Sequence, residues 1–473
     1  MGETDLIQLL KTVSKRKYET QTEECKAARK GCPEHLYDTL SSFSNQSKGG
    51  VILFGVDEKN DFELCGVYDA QDLQKKVKNQ CEDLFPAVRA FFTTATFDGK
   101  TFLSAEIPGI NPLERPCYYK PKGKYGGSYI RVGDADNQMT EFEIYQYESY
   151  KKRTKDDIRT IDDDTIKLFY EEKHNRYLQT VKEKRVNLSQ NVPDDEIDIL
   201  MGLKNEGKPT LTAAMVFSKY PQTYFPQYSI VAVKIGGKSI ADLGLDGERF
   251  IANEKITGPI DDMANALLRF AKANISQKTI INDEGRREDR YEYPLVAIRE
   301  VILNALLHRD YSPLSEGMPI RFEIYSDRIE VTNPGQIFGT GEMEELGRRR
   351  LETRNPILAD VLELLNVTRN RYSGIPTIRK EMKNYNLPQP VFISQGGEFK
   401  VILRNSFSGN EGDVLESVVD YCSTPRSREE IVRFVGKSRN YVVKTYIAPL
   451  VLSGQLKLTI PEKPQSPFQK YYS

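Results

Sequence analysis

The sequence predicts an α+β protein of several domains. Its 473 residues are enough for roughly two to four domains of about 150 residues each. Hydrophobic residues make up 39% and charged residues 29%, a composition that can bury cores and that excludes a disordered chain. Helical and strand-like patterns alternate along most of the chain, which predicts mixed domains rather than an all-helical or all-strand fold.

Charge and apolar content exclude several classes of protein. The formal net charge is −1, so any contact with nucleic acid would have to come from local basic patches. No run of about 18 apolar residues occurs, and the N-terminal stretch has no long apolar segment of the secretory type. The six cysteines form no CxxC pair, which indicates free thiols. We therefore expect a protein of the cytoplasm.

Four parts are predicted along the chain. Residues 1–150 begin with a charged helix and continue with short strands, and 151–194 read as a charged surface helix that connects to the next part. Residues 195–405 mix helical and strand patterns, and 410–473 read as helices followed by a hairpin. The final PEKPQSPFQKYYS is expected to be a loosely held tail.

Carboxylates near the start of the first part follow the pattern E-x4-E-x-K at Glu19, Glu24 and Lys26. A helix is predicted over 33–45, and Gly49-Gly50 then lead into the apolar strand VILFGV, which ends at Asp57. Two carboxylates on a β-type segment and a third from a neighbouring strand could hold a divalent cation, which can activate water against a phosphodiester. The alternative is surface charge on the N-terminal helix, and the spacing alone favours that alternative.

A Gly-rich segment later in the first part, PCYYKPKGKYGGSYIRVGDAD, predicts a β-hairpin. Basic and aromatic residues alternate along it, namely Tyr118, Tyr119, Lys120, Lys122, Lys124, Tyr125, Tyr129 and Arg131. Basic groups neutralise phosphates, and tyrosine rings stack on unpaired bases. The alternative is a solvated hairpin with its tyrosines packed beneath, and the residues alone leave both interpretations open.

Three blocks of the first part resemble the Schlafen/AlbA-type nucleic-acid-binding domain: YETQTEECKAARKG, FSNQSKGGVILFGVDEKNDFELCGV and RPCYYKPKGKYGGSYIRVGDAD. The resemblance covers about residues 1–150 and implies an AlbA/Schlafen-like α+β fold. In ribonucleases of the Schlafen branch, the matching positions are catalytic and bind metal. The resemblance therefore implies catalytic roles for Glu19, Glu24, Lys26 and Asp57, and Mg²⁺ or Mn²⁺ at the three acids, with Glu58 as a substitute for Asp57. Many bacterial relatives only bind nucleic acid.

The third part contains the predicted helix PLVAIREVILNALLHRDY, which places Glu300 and Asn304 on one face. An asparagine there can ligate Mg²⁺, and a glutamate one turn earlier can orient water. The alternative is an amphipathic helix with two ordinary polar residues. A predicted strand pair, RFEIYSDRIEVTNPGQI, then brings Asn333 and Gly335 to a loop, and Gly374 lies in a later turn.

This order of motifs resembles the GHKL ATPase fold, an α/β sandwich, in the divergent form found in RecG-like bacterial regulators. The resemblance covers about 200–405. It implies that Glu300 and Asn304 bind Mg-ATP, that Asn333 and Gly335 contact adenine, and that Gly374 belongs to a lid. Asn333 replaces the usual aspartate and Ile337 the second loop glycine, so ATP binding is expected and efficient hydrolysis is not. A degenerate domain with a purely structural role is the alternative.

The last part predicts a helix-turn-helix. Ser427 and Glu430 form a capping-box pattern, KSRNYVVKTYIAPLVLSG reads as the second helix, and QLKLTI reads as a wing strand. Polar and basic side chains at the start of that second helix are expected to face DNA, namely Lys437, Ser438, Arg439, Asn440 and Lys444. The segment resembles the C-terminal winged helix of the same regulators. A module that binds only protein is the alternative.

Three functions remain open from the sequence. The first is a nucleic-acid-binding transcriptional regulator that carries an ATP-binding module. The second is a metal-dependent nuclease acting on RNA or DNA, in the manner of a phage-defence effector, and gated by nucleotide. The third is a weak ATPase. Each function predicts nucleic acid or ATP as ligand. Because GHKL-like and winged-helix modules often pair and two-fold symmetry is the usual arrangement of oligomers, we expect a homodimer or a higher homo-oligomer.

Overall fold

The computed structural model divides the chain into two compact units. We call Met1–Thr154 with Gln336–Glu342 the N-terminal unit, and Lys155–Gly335 with Met343–Ser473 the second unit. The structure describes residues 1–161, 170–242, 248–281, 287–339, 343–349, 351–368, 374–406, 414–415, 418–419, 421–422, 425–435, 438–464, 466 and 469–473.

The N-terminal unit is a mixed α+β body. Its described helices are Glu3–Arg16, Tyr37–Ser44, Ala70–Glu82, Gly123–Gly127 and Glu141–Lys152, with single 3-10 turns at Glu58–Asn60, Pro112–Glu114 and Lys120–Lys122. Its described strands are Glu23–Lys26, Gly50–Phe54, Val56–Asp57, Glu63–Leu64, Leu84–Phe85, Phe91–Phe97, Lys100–Ile107, Tyr118–Tyr119, Tyr129–Val132 and Ala135–Gln138. The main sheet has the order Glu23–Lys26, Gly50–Phe54, Lys100–Ile107, Phe91–Phe97, and its first pair is parallel.

Helices cover both faces of this sheet. Alternate strand residues point to opposite faces, so Ile52 and Phe54 pack with Phe43 of the second helix. Leu53 points the other way and packs with Leu6 of the first helix. Burial of both faces explains why the strand reads as a continuous apolar run in the sequence.

The second unit contains a six-stranded sheet and a helical layer. Its described helices are Glu171–Lys184, Val186–Asn191, Asp194–Leu200, Leu211–Phe217, Ile260–Asn274, Leu295–His308, Pro356–Leu364, Gly374–Asn384, Arg428–Val435, Arg439–Val442 and Ala448–Leu452, with a π-helical turn at Val443–Ile447. Its described strands are Lys204–Asn205, Lys208–Pro209, Ile230–Lys234, Ala252–Ile256, Gln277–Ile281, Arg287–Tyr291, Ile320–Ile324, Arg328–Pro334, Val391–Gln395, Glu398–Arg404, Arg426–Ser427, Lys457–Leu458 and Lys470–Tyr472.

The six-stranded sheet has the order Ala252–Ile256, Ile230–Lys234, Ile320–Ile324, Arg328–Pro334, Glu398–Arg404, Val391–Gln395. Only the second and third strands in that order run parallel among its described pairings. The helix Leu295–His308 contacts the helices Ile260–Asn274 and Gly374–Asn384 and the strand Arg328–Pro334. Its apolar residues Ile298, Val301 and Ile302 are buried in the same core as Ile329 of that strand.

The predicted connector, 151–194, does not lie apart as a surface helix. Its helix Glu171–Lys184 buries Tyr177 and Val181 in the core of the second unit, because residues four apart share one helical face. Upstream of it, the buried carboxylate of Asp157 accepts the backbone N–H of Ile357 at 2.7 Å. From Lys155 onward the segment is therefore a component of that unit.

Two further local predictions differ from the structure. The glycine-rich stretch after Tyr119 is not a tight hairpin turn, because Lys120–Lys122 and Gly123–Gly127 form helical turns. The hairpin lies just downstream, where Tyr129–Val132 pairs with Ala135–Gln138. The expectation of a loose tail is wrong, because Lys470–Tyr472 is the middle strand of a three-stranded sheet. Burial of the Tyr471 side chain holds that strand in place.

The described part of the chain contains no helix that is both long and apolar enough to cross a membrane.

Candidate functional site

A buried cluster of charged side chains lies at the first strand of the main sheet in the N-terminal unit. Glu24 lies on that strand, 5% exposed, and its Oε2 is 2.7 Å from Nη1 of Arg131. The same guanidinium reaches Glu19 Oε2 at 3.2 Å and Asp136 Oδ1 at 3.1 Å. Three carboxylates therefore surround one arginine, which is 2% exposed.

The downstream hairpin delivers the arginine to these acids. Arg131 and Asp136 are direct partners across the ladder between Tyr129–Val132 and Ala135–Gln138. Nη2 of Arg131 also donates to the backbone carbonyl oxygen of Glu23 at 3.0 Å. The structure thus places Arg131, which the sequence predicts to contact nucleic acid, inside the unit, where its two terminal nitrogens contact protein oxygens.

Burial raises the pKa of one acid of the cluster, Glu19. Loss of solvent and the nearby negative charge of Glu24 raise the pKa of Glu19 from 4.5 to about 8. The backbone N–H of Cys25, which donates to Glu19 Oε1 at 2.7 Å, acts in the opposite direction. Lys26 donates a hydrogen bond to the other carboxylate, that of Glu24.

Asp57 is not the third acid of the cluster. It ends the short strand Val56–Asp57 and lies 3.4 Å from the guanidinium of Arg29. Glu58, its proposed substitute, starts an exposed 3-10 turn beside it, and the negative charge of Glu58 contributes to the raised pKa of Glu19. The carboxylate that joins Glu19 and Glu24 is Asp136, in the GDAD stretch that ends the quoted motif. Sequence reasoning missed Asp136. A predicted hairpin shows which two strands pair with each other, but it does not show which other strand the hairpin packs against.

The arrangement of these side chains does not fit a divalent cation. Among the described residues, no group of three or more His, Cys, Asp or Glu side chains is placed to hold a metal ion. The carboxylate oxygens that a metal would use face Arg131, whose nitrogen atoms lie within hydrogen-bonding distance of them.

The three lysines predicted to bind nucleic acid have different surroundings. Lys120 Nζ donates to the backbone carbonyl of Glu82 at 2.7 Å, and Lys124 pairs with Glu148. Lys122 is exposed, and its Nζ lies 2.8 Å from the hydroxyl of Tyr37 and 3.2 Å from that of Tyr129. The structure thus joins two predicted residues, Lys122 and Tyr129, to Tyr37. No sequence signal had pointed to Tyr37.

The second unit brings together Asn304 and Gly374, two residues predicted to bind nucleotide. Asn304 lies on the helix Leu295–His308 with Glu300 one turn earlier, and Gly374 is the first residue of the helix Gly374–Asn384. A Cβ atom at Gly374 would lie 2.9 Å from Asn304 Nδ2, so only glycine allows this approach without displacing the amide. That Nδ2 is buried and has no hydrogen-bond partner among the described residues.

Asn333 and Gly335 lie at the end of the strand Arg328–Pro334. Asn333 is 4% exposed and shares a sheet face with Val331, which is buried in the core. Gly335 has φ +106°, in the region that favours glycine, and a Cβ there would lie 3.0 Å from Asp310 Cβ. The loop that carries both residues therefore requires glycine at this position.

Three polar residues near this loop were not assigned a role from the sequence. Asp310 pairs with Arg354, and its backbone N–H donates to the Pro334 carbonyl at 2.8 Å. Asn355 Nδ2 donates to the carbonyls of Leu307 and Arg309, each at 2.8 Å. Arg354 and Asn355 lie in the stretch RNPI, and Asp310 lies in HRDY at the end of the predicted helix segment.

The C-terminal residues predicted to face DNA are exposed where they are described. Arg439, Asn440 and Lys444 all lie on the surface, with Arg439 Nη2 3.6 Å from Glu429 Oε1. Lys437 lies outside the described residues. The helix begins at Arg439 and becomes π-helical over Val443–Ile447.

Comparison with known proteins assigns two parts of the chain. Residues 15–140 match the family described as Schlafen, AlbA_2, and residues 317–403 match the family described as Putative ATP-dependent DNA helicase recG C-terminal. The chain joins a Schlafen AlbA_2 domain to a RecG C-terminal-type domain. The resemblances predicted for residues 1–150 and 200–405 are therefore confirmed over the matched residues, and they relate the chain to nucleic acids and to an ATPase-like fold. The predicted winged helix lies outside both matches.

Solved structures that match this chain include the following two. One is the DIP2311 protein from Corynebacterium diphtheriae, at 16% identity and a TM-score of 0.41, covering 94% of this chain and 92% of that one. The other is the N-terminal domain of Putative ATP-dependent DNA Helicase RecG-related Protein from Nitrosomonas europaea. It is 28% identical with a TM-score of 0.23, covering 30% of this chain and 94% of that one. No curated protein matches the chain.

The two matched regions divide the predicted residues unevenly. The Schlafen AlbA_2 region contains the whole acidic cluster and the tyrosine–lysine group around Lys122. The RecG C-terminal-type region contains Asn333, Gly335 and Gly374, whereas Glu300 and Asn304 precede it in the chain. Their assignment to the nucleotide site depends on the approach of Gly374 to Asn304.

Proposed function

We propose that this protein is a nucleic-acid-binding transcriptional regulator whose Schlafen AlbA_2 domain binds nucleic acid without cutting it and whose second unit binds ATP. The observation that carries the proposal is the position of Arg131, whose guanidinium contacts Glu19, Glu24 and Asp136 inside the Schlafen AlbA_2 domain. Carboxylates that are engaged by a buried arginine are not available as ligands for a catalytic cation.

Charge balance supports binding over cleavage. Cleavage of a phosphodiester at a carboxylate site needs a cation to activate water and to offset the charge of the phosphate. Here Arg131 and Lys26 already offset the acids of the cluster. A divalent cation would have to displace a guanidinium that is 2% exposed and that also bonds a backbone carbonyl.

The proposal of ATP binding depends on Asn304. A buried amide nitrogen without a partner is costly, and a bound ligand would satisfy it. With Mg-ATP bound, Asn304 Nδ2 would donate to a phosphate oxygen and its Oδ1 would ligate the metal, and Glu300 lies one turn away on the same helix. The amide oxygen of Asn333 can accept a hydrogen bond from the adenine amine. Because Asn333 carries no charge and Pro334 stiffens the loop, we expect binding with slow hydrolysis.

One incubation tests the proposal. The purified full chain is mixed with labelled single-stranded DNA, duplex DNA and structured RNA, in Mg²⁺ or Mn²⁺, with and without ATP. Products are resolved on a denaturing gel beside a native gel. We expect shifted bands and intact strands. Metal-dependent fragments that disappear in Glu24→Ala would contradict the proposal.

A nuclease is the second candidate, because Glu19, Glu24 and Lys26 do lie together within the Schlafen AlbA_2 region. Such an enzyme would cut RNA or DNA with Mg²⁺ or Mn²⁺, would act as a phage-defence effector, and would be gated by ATP. It requires Arg131 to leave the acids when metal binds. If the double variant Glu19→Ala/Glu24→Ala cuts as well as the unchanged protein, this candidate fails.

The C-terminal segment is proposed as a DNA-binding winged helix that presents Arg439, Asn440 and Lys444. In Arg439→Ala/Lys444→Ala, the slope of log affinity against log salt on duplex DNA should fall by about 0.9 for each lost phosphate contact. An unchanged slope would favour a protein-binding module. A homodimer, which light scattering in solution would detect, and a cytoplasmic location stay predictions from the sequence.

A further inference from the structure

Lys122 differs from the other basic side chains of its segment because its described partners are all tyrosine side chains. Lys120 donates to a backbone carbonyl, Lys124 pairs with a carboxylate, and Arg131 is buried among acids. The described partners of the Lys122 ammonium are two phenol oxygens and two aromatic rings, with the Tyr37 ring centre at 4.3 Å and the Tyr129 ring centre at 5.8 Å, and none of them carries a negative charge.

The hydroxyls of Tyr37 and Tyr129 are left as donors by this arrangement. Each phenol oxygen accepts from Lys122, at 2.8 Å and 3.2 Å, and neither hydroxyl hydrogen has an acceptor among the described residues. A lysine ammonium has three N–H groups, so one also remains after these two bonds. Three unused donors and a full positive charge are thus grouped around the exposed Lys122 side chain.

The group is held rigidly before any ligand arrives. The ring of Tyr37 stacks on that of Tyr119 with centroids 4.5 Å apart and planes 14° apart. Tyr129 is 9% exposed, and its backbone N–H donates to Ser41 Oγ at 2.9 Å. Donors that are already fixed in place lose little conformational freedom when they bind, which favours affinity.

We propose that Lys122, Tyr37 and Tyr129 form a binding site for one phosphate group of a nucleic-acid backbone, an inference that rests on the proposed function. Phosphate oxygens accept hydrogen bonds from lysine and tyrosine side chains, and their negative charge would balance that of the Lys122 ammonium. The contact is independent of base sequence, so the site fixes the position of the strand on the Schlafen AlbA_2 domain.

Two variants of the full chain separate the charge from the hydroxyl groups. Binding of labelled single-stranded DNA is measured at several salt concentrations. Lys122→Met removes the cation, so the slope of log affinity against log salt should fall by about 0.7, the value for one phosphate of a single strand. Tyr37→Phe/Tyr129→Phe keeps both rings and the charge. It should weaken binding roughly tenfold with an unchanged slope, because neutral donors displace no counterions.

Matched controls come from the same unit. Lys75→Met removes an exposed lysine on the helix Ala70–Glu82, and Tyr18→Phe removes the hydroxyl of an exposed tyrosine. Both should bind as the unchanged protein does. Thermal unfolding shows whether each variant is folded. If Lys122→Met does not fold, Lys122→Gln, which also removes the charge, replaces it and should lower the salt slope by the same amount.

The outcomes distinguish this inference from the proposed function. If the unchanged protein binds no nucleic acid, the proposed function fails, and the site fails with it. If the protein binds but Lys122→Met and Tyr37→Phe/Tyr129→Phe match their controls in affinity and slope, the phosphate site is wrong and the proposed function stands.

Discussion

A single buried arginine determines how the acidic cluster can be interpreted. A buried charge is tolerated only when it is paired, and Arg131 has carboxylate partners on Glu19, Glu24 and Asp136. If Glu19 holds its proton, as its raised pKa indicates, Arg131 and Lys26 offset the charges of Glu24 and Asp136. The cluster then needs no external cation for electrical balance.

The protonation of Glu19 predicts a pH dependence of stability. Its pKa is about 8 in the folded protein against 4.5 for an ordinary glutamate, so the folded state binds more protons between these values. The stabilising contribution of Glu19 is therefore fully present below 4.5 and is lost as the pH rises toward 8. We expect Glu19→Gln, which resembles the protonated form, to lose less stability over that interval. Urea unfolding at a series of pH values measures this, and parallel pH profiles would contradict it.

Gly374 offers a second test at the scale of one atom. In Gly374→Ala, the new methyl group would lie 2.9 Å from Asn304 Nδ2, so the amide would have to move. Because a side-chain end can shift, we expect the fold to survive and ATP affinity to fall roughly tenfold, in line with the cost of overpacking. Titration calorimetry with ATP and Mg²⁺ measures the change. Gly317→Ala, where an added Cβ meets nothing within 4 Å, is the control, and equal affinities in both variants would refute the assigned site.

Local sequence signals correctly predicted features that are formed by residues close together in the sequence. The predicted capping box is present, because Ser427 N–H donates to Glu430 Oε2 at 2.7 Å and Glu430 N–H to Ser427 Oγ at 3.3 Å. The glycines after Lys122 misled, because glycine permits a helical turn as readily as a hairpin turn. The tail misled for a different reason, since Tyr471 lies in a sheet that also contains Arg426–Ser427, a strand from much earlier in the sequence.

The capping box gives a prediction at the scale of one helix. In Ser427→Ala the N–H of Glu430 loses its acceptor, so the helix Arg428–Val435 should lose about 1 kcal/mol of stability. Chemical denaturation monitored by circular dichroism measures the loss. Ser438→Ala is the matched control, because Ser438 precedes the next helix without a side-chain capping bond. A loss of equal size in the two variants would show that the cap contributes nothing specific.

At the scale of the whole molecule, the sequence identified both matched regions but not the contacts that make their sites. Motif blocks in order were enough to predict the Schlafen AlbA_2 and RecG-type parts. Periodicity places a residue on a face of its own element, and it does not say which distant element meets that face. Contacts such as Arg131 with Asp136 and Glu24, or Lys122 with Tyr37, therefore appear only in the folded chain.

The division into two units, each with its own hydrophobic core, predicts that ATP stabilises one part of the molecule selectively. A ligand that binds only the folded state adds about 2.7 kcal/mol at 100 times its dissociation constant. With ATP and Mg²⁺, amide hydrogen exchange should therefore slow in Leu295–His308 and Gly374–Asn384. Exchange in the strand Lys100–Ile107 of the N-terminal unit should not change.

The variant Asn304→Ala decides whether that protection comes from the assigned site. We expect it to abolish the effect of ATP on Leu295–His308, because the buried amide proposed to ligate the metal is gone. Exchange without ATP should stay close to that of the unchanged protein, since Asn304 has no described hydrogen bond to lose. Protection that persists in Asn304→Ala would place ATP elsewhere. If ATP gives no protection in the unchanged protein, the second unit does not bind ATP and has a purely structural role.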